Sequence, residues 1–185
     1  MIIGIDFDDV LVATNEALAL FHNRVYGTSY RVEDVREWSL IRLWGCSEEE
    51  AHQRIAEFVR AGEHVETQPV VDAAMGICAL RDAGHDLLVV TSRPESAREV
   101  TLELAAAHFP KLEVLFAGRG GEKSELCRHH GIDTFIDDAL HNIDDVASVV
   151  ERVLLFDRPW NRVNDSGLPN VHRVHSWREI LKILL

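Results

Sequence analysis

Short apolar runs recur along the chain, each closed by polar residues or glycine. They are IIGI (2–5), LLVV (87–90), EVLF (113–116), TFI (134–136) and VLLF (153–156), with a weaker VHRV (171–174). Runs of this kind, without a clear alternation of apolar and polar positions, suit strands buried on both faces of a parallel sheet. Helical spacing lies between them. Residues 69–83 carry Val70, Val71, Ala74, Ile77, Cys78 and Leu80 and stop at Gly84, a good C-terminal cap. Residues 94–108 open with proline near the first turn and carry Val100, Leu102 and Leu104. A short helix at 123–130 ends at Gly131, and 139–151 and 177–185 complete the set. Strands alternating with helices predict an α/β fold: a three-layer, Rossmann-like parallel sheet with right-handed crossovers.

The interval 14–68 breaks this rhythm, because it holds no convincing strand. Thr14 or Asn15 is placed to cap a helix carrying Leu18, Phe21 and Val25 and ending near Gly27. Residues 33–44 read as a second helix. Ser47-Glu48-Glu49-Glu50 is a capping box opening a third, which closes at Gly62. A helical insertion between the first and second strands reads as a lid over the sheet. The core domain is then 1–13 and 69–185.

Composition narrows the choice of partners. With 185 residues, 46% hydrophobic and 27% charged, the chain suits one soluble domain with a modest insertion. Its 31 acidic against 19 basic residues give a net charge of -12. That argues against a nucleic-acid polymer or an anionic membrane as the main partner. A small anionic ligand remains compatible if a cation and a few donors neutralise its site. Cys46, Cys78 and Cys127 are far apart and form no C-x-x-C pair, so neither a disulfide framework nor a zinc knuckle is expected. The N-terminus lacks a secretory signature, and no apolar run approaches the roughly 20 residues that span a bilayer. A cytoplasmic protein is expected.

Ligands of an open parallel sheet bind beyond the carboxyl ends of its strands, so the polar residues that close each run carry the most information. After the first come Asp6, Asp8 and Asp9; after the second, Thr91, Ser92 and Arg93; after the fourth, Asp137 and Asp138; after the fifth, Asp157. Lys123 opens the helix leading to the fourth strand. Any one of these alone reads as a turn residue, a helix cap or a solvated charge. Together they are harder to dismiss. Five carboxylates from two strand ends repel one another unless a divalent cation sits among them, and hard oxygen donors suit Mg²⁺. Hydroxyls and a lysine beside such a cation are what a phosphoryl group requires.

The ordered set DFDDV (6–10), VVTS (89–92), Lys123 and FIDD (135–138) resembles the four motifs of the haloacid dehalogenase (HAD) superfamily of phosphohydrolases. The resemblance implies a HAD-like core with a small helical cap, and it implies roles. Asp6 is the nucleophile that takes the phosphoryl group, and Asp8 protonates the leaving oxygen and then activates water. Thr91, assisted by Ser92, holds a phosphoryl oxygen, and Lys123 neutralises the nucleophile and the transferring group. Asp137 binds Mg²⁺ with Asp6 and the backbone carbonyl of Asp8, and Asp138 supports the metal shell. Asp9 stands where the common pattern has glycine; aspartate tolerates unusual backbone angles, so it is read as bonding the loop.

The resemblance implies that a cap in this position shapes the pocket and selects substrates. The insertion's aromatic residues, Phe21, Tyr26, Tyr30, Trp38, Trp44 and Phe58, are assigned mostly to its packing, with one or two available to stack on a substrate ring. LLFDRPWNR (154–162), with the Thr-Ser and Asp-Asp pairs, resembles the 5'(3')-deoxyribonucleotidase branch and its bacterial relatives. The plainer reading is that Arg158, Trp160 and Asn161 brace the loop after the fifth strand. GRGGEKS (118–124) fails the spacing of a phosphate loop, and Cys127-Arg128-His129-His130 reads as exposed surface. The expected function is a Mg²⁺-dependent phosphomonoesterase acting on a small phosphorylated substrate, plausibly a nucleoside monophosphate. The alternatives are a phosphatase for another small metabolite, phosphotransfer to an alcohol, a silent binding module, and a receiver-like module. The last is disfavoured because the third strand ends in Ala117-Gly118 with no carboxylate.

Overall fold

Six parallel strands form one sheet: β1 (Ile2–Ile5), β2 (Asp86–Thr91), β3 (Glu113–Phe116), β4 (Thr134–Asp137), β5 (Arg152–Phe156) and β6 (Val171–Val174), in the order β3-β2-β1-β4-β5-β6. The computed structural model describes residues 1–37, 39–118, 122–164 and 166–185. Every predicted run is a strand to within a residue at either end. The helices are α1 (Thr14–Tyr26), α2 (Leu40–Trp44), α3 (Glu48–Arg60), α4 (Ala73–Asp82), α5 (Arg98–His108), α6 (Lys123–His130), α7 (Leu140–Val146) and α8 (Trp177–Leu184). No helix among the described residues is long and apolar enough to cross a membrane.

Alternation along each strand sends neighbouring side chains to opposite faces, and each face has its own helices. Ile3, Ile5, Val89, Ile136 and Leu154 pack with Ile77 and Leu80 of α4, Leu104 of α5 and Trp177 and Ile180 of α8. Val90, Phe135, Val153 and Leu155 pack with Cys127 of α6 and Ile143 and Val146 of α7. β1 lies at the centre, with Ile5 paired to Val89 on one side and Ile136 on the other. Gly4 is required there, because a Cβ would stand 2.6 Å from the Phe135 ring.

Several predicted helices are shorter, each for an identifiable reason. Residues 33–44 are a 3₁₀ turn, Val32–Asp34, followed by α2. Asp34 accepts from the backbone N–H of Arg31, and Ser39 begins a new cap by accepting from that of Arg42. Trp38, between them, lies outside the described residues. In 69–83 the chain is first tied to the loop after β1, with Val70 N–H donating to Leu11. Asp72 then turns left-handed (φ 64) before α4 begins, so Val71 and Cys78 are exposed rather than in the core. Residues 94–108 open with a 3₁₀ turn, Glu95–Ala97. α7 stops at Val146 because Asn170 captures the carbonyls of Ala147 and Val150 at 2.8 and 3.1 Å. Cys127 faces the core, correcting its reading as surface, because the buried side of α6 carries Lys123, Ser124 and Cys127 together.

The capping box at Ser47 and Glu50 opens α3 as the spacing predicts. α1 differs: neither Thr14 nor Asn15 caps it, and the acceptor is a carboxylate from the preceding loop. Leu18, Phe21 and Phe58 form a separate small apolar cluster, with the two rings edge to face at 5.5 Å. His22 is stacked between Tyr26 and Trp44 at 4.7 and 4.6 Å, and the Trp44 indole donates to the Tyr30 hydroxyl.

Candidate active site

The ladder of β1 runs one residue past the strand, because Asp6 N–H donates to the Ile136 carbonyl at 2.8 Å. That bond puts Asp6 at the carboxyl edge between β1 and β4, where the chain's strand order changes direction and an open sheet leaves a crevice. Phe7 is fully buried. The chain then folds back through Asp9, whose backbone is left-handed (φ 57). Asp9 repays that conformation by accepting from the Asn15 N–H and side-chain amide at 3.1 and 2.6 Å, which caps α1. Its carbonyl accepts two bonds from the Arg158 guanidinium.

Lys123 is the first residue of α6 and is 1% exposed. Its Nζ lies 2.5 Å from Asp6 and 2.7 Å from Asp137. Asp145 of α7 fixes that helix start by accepting from the N–H and hydroxyl of Ser124. Asp137 ends β4, where it also accepts from Ala139 N–H and from Asn142. The next residue, Asp138, accepts from the Trp160 indole at 2.6 Å. Asp6, Asp137 and Asp138 are all buried, and each offers an oxygen within 4.8 Å of the others.

One ammonium cannot compensate this cluster. Burial, with Asp137 and Asp8 nearby, outweighs the opposing charge of Lys123 and pushes the Asp6 carboxyl up to about 8. Burial and the charges of Asp137 and Asp6 also push Asp138 well up. Lys123 is held above its ordinary value against its own desolvation by Asp137 and Asp6. Five carboxylates, Asp6, Asp8, Asp9, Asp137 and Asp138, are met by three cations, Lys123, Arg93 and Arg158. With all five ionised, two negative charges are left over, which one divalent ion matches; without it, protonation of the raised carboxyls takes up that excess. The donors are hard oxygens, so the residues fit Mg²⁺.

Asp8 is set apart from this trio. Arg93 grips both its oxygens at 2.9 and 2.7 Å, and Thr14 donates a further bond at 2.5 Å. Burial works to raise its pKa, but Arg93, joined by the Thr14 hydrogen bond and the Lys123 charge, holds the carboxyl below its usual range. The same guanidinium stands 4.8 Å over the Phe7 ring and donates to Thr101. Thr91, fully buried at the end of β2, accepts from the Arg93 N–H at 3.2 Å, with half-buried Ser92 between them in sequence.

Asp157 is the strand-end acid that stays outside the cluster: Arg162 and Arg173 hold it at 2.8 and 3.1 Å. Residues 119–121 of the GRGGEKS run lie outside the described residues. Sequence reasoning placed Arg93 at the end of the second strand without giving it a role, and passed over Asn142 and Asp145. Arg93 had a signal, since it directly follows the Thr-Ser pair, whereas the other two are ordinary residues on a helix.

A family model described as "5' nucleotidase, deoxy (Pyrimidine), cytosolic type C protein" matches residues 1–185. The candidate nucleotidase YqfW of Bacillus subtilis (strain 168) is 24% identical, over 97% of this chain and 91% of its own length. A candidate nucleotidase of Oceanobacillus iheyensis is 22% identical over 97% of this chain and 96% of its own. Among solved structures, a haloacid dehalogenase-like family hydrolase from Streptococcus pneumoniae superposes with a TM-score of 0.71 at 15% identity, covering 100% of this chain and 98% of that one. A HAD family hydrolase from Deinococcus radiodurans R1, solved with bound phosphate and sodium, also has a TM-score of 0.71, at 16% identity over 98% and 93% of the two chains.

Proposed function

The chain belongs to the deoxy (pyrimidine), cytosolic type C 5' nucleotidase family, and we propose that it hydrolyses nucleoside monophosphates through a phosphoryl group carried on Asp6. At the coarser level it is a phosphatase-type enzyme with the HAD fold. The observation that supports the finer reading best is the Lys123 ammonium, buried and shared between Asp6 and Asp137. It orients the Asp6 carboxylate and withdraws charge from it, so that a phosphate anion is not repelled.

Asp6, Asp137 and Asp138, with the backbone carbonyl of Asp8, would hold Mg²⁺, which supplies charge neutralisation for the phosphoryl oxygens. The other steps belong to side chains. An Asp6 oxygen attacks phosphorus, the bond to the leaving oxygen breaks, and Asp8 delivers the proton that oxygen needs. Thr91 and Ser92 hold phosphoryl oxygens. In the second half Asp8 takes a proton from water, whose oxygen attacks the acyl phosphate and frees Asp6. Arg93 holds Asp8 ionised between turnovers, which is the state the second half requires. The proton Asp8 delivers in the first half therefore comes in with the substrate as its phosphate monoanion, and is replaced by the one taken from water.

Within this reading, 1–13 and 69–185 form the core and 14–68 the cap. Support comes from the helical content of that interval and from the separate apolar cluster of Leu18, Phe21 and Phe58. Membership of a family described as cytosolic supports a cytosolic location. The test is phosphate release from a panel of nucleoside and sugar monophosphates, with Mg²⁺ or EDTA. Expected are highest kcat/KM on a deoxynucleoside monophosphate, loss of turnover in EDTA, and loss in Asp6→Asn. Full activity of that variant would overturn the mechanism, and a sugar phosphate as best substrate would overturn the specificity.

A further inference from the structure

The stretch after β5 reaches three other strand ends. Its 3₁₀ turn, Pro159–Asn161, is buried throughout. Asn161 donates to the carbonyls of Asp138 and Phe156 at 2.7 and 2.8 Å, tying the end of β4 to the end of β5. Arg173 of β6 donates to the Asn161 side chain at 2.6 Å, and Arg158 reaches the Asp9 carbonyl beyond β1. Within this frame the Trp160 indole, 8% exposed, donates its N–H to the Asp138 carboxylate, which is 6% exposed.

The kind of donor is informative. Asp138 lies within reach of two other buried carboxylates, and mutual repulsion favours any rotamer that turns it away. A hydrogen bond from a rigid, packed ring opposes that rotation. The indole N–H is neutral and has no acceptor capacity, so it fixes one oxygen without discharging the carboxylate. An arginine or lysine at this position would fix it equally well and compete with a cation for its charge. Lys123, by contrast, directs its ammonium to Asp6 and Asp137. We propose that Trp160 is a positioning residue that holds the Asp138 carboxylate ready for a divalent cation. The inference rests on the reading that Asp6, Asp137 and Asp138 hold that cation.

Trp160→Phe keeps the ring's packing and deletes the N–H. In the full-length protein, Mn²⁺ affinity measured by titration calorimetry and by electron paramagnetic resonance should fall about 10–100-fold, the usual consequence of losing a partner behind a metal ligand. Activity should recover at high Mn²⁺ with KM for substrate unchanged, which separates weaker cation binding from general damage to the site. Affinity within twofold of the parent overturns the inference. A parent protein that binds no Mn²⁺, or an Asp138→Asn variant that binds as tightly, overturns the underlying reading instead. Should Trp160→Phe fail to fold, ¹⁵N-indole spectra of the parent decide the matter. The chain has four tryptophans, and W38F, W44F and W177F assign the Trp160 signal by elimination. Expected is a shift of that signal with diamagnetic Mg²⁺, on the same midpoint as binding; an unmoved signal at saturation overturns the proposal.

Discussion

Replacing Asp6 with asparagine removes the proposed nucleophile, yet the structure predicts that the cation-free fold becomes more stable. The Asp6 carboxyl is pushed up to about 8 from 3.8, chiefly by burial. A carboxyl with a raised folded pKa binds more protons in the native state than in the unfolded one. Stability therefore falls as pH rises, from about 4 to about 8. At pH 7 the native group is largely protonated while the unfolded one is ionised. That imbalance costs the fold on the order of 4 kcal/mol, and about 2 kcal/mol at pH 5. Asparagine has the shape of the protonated acid and no such cost. Relaxation and water penetration reduce burial penalties, so the expected gain in EDTA at pH 7 is ~1–4 kcal/mol, or roughly 2–16 °C in Tm for a chain of this size. Saturating Mg²⁺ should narrow or reverse the order, because it stabilises the parent in proportion to its affinity. Thermal unfolding by circular dichroism at pH 5, 6 and 7, with EDTA or Mg²⁺, measures all of this. An Asp6→Asn protein less stable than the parent in EDTA, or a difference independent of pH, refutes the reasoning.

Other residues give narrower tests. Arg93→Met frees Asp8 from a two-pronged grip and from the charge that holds it ionised, so hydrolysis of the phosphoryl group on Asp6 should slow and kcat should fall about 10–100-fold. Both a nucleoside monophosphate and 4-nitrophenyl phosphate pass through that same phosphoryl-enzyme, so kcat should fall to a common value on the two, and an unchanged kcat on both would refute the role. Gly76→Ala drives a Cβ into the Trp177 ring where α4 packs on α8, and should cost about 1–3 kcal/mol in urea unfolding. At Asp9, with its left-handed backbone and its bonds to Asn15, Asp9→Ala should lose about 1–2 kcal/mol and Asp9→Gly about 1 kcal/mol less. Equal losses would show that backbone strain is not felt there. Lys123→Met strands two buried carboxylates and should cost about 3–5 kcal/mol in EDTA, with part restored by Mg²⁺.

How far these features could be read from the chain depends on the range over which each is determined. The strands were legible because burial on both faces writes an unbroken apolar run, and their parallel order carried Asp6, Thr91 and Asp137 to one edge without any knowledge of contacts. The ends of helices were less legible. The turn at Asp72 is local, but the stop after Val146 is made by Asn170, more than twenty residues on, and no spacing near α7 announces it. The electrostatic partners were the least legible of all. Arg93 meets Asp8 across 85 residues, and Arg158 meets Asp9 across 149. In a one-dimensional pattern such residues are simply polar. What distinguishes them is that the acids they serve were already suspect: a buried carboxylate without a cation is so costly that each must find a partner somewhere. The useful inference from a cluster such as DFDD is therefore a count of compensating charges owed. Lys123 alone does not meet it, Arg93 and Arg158 supply two more, and the remainder is the argument for a divalent ion.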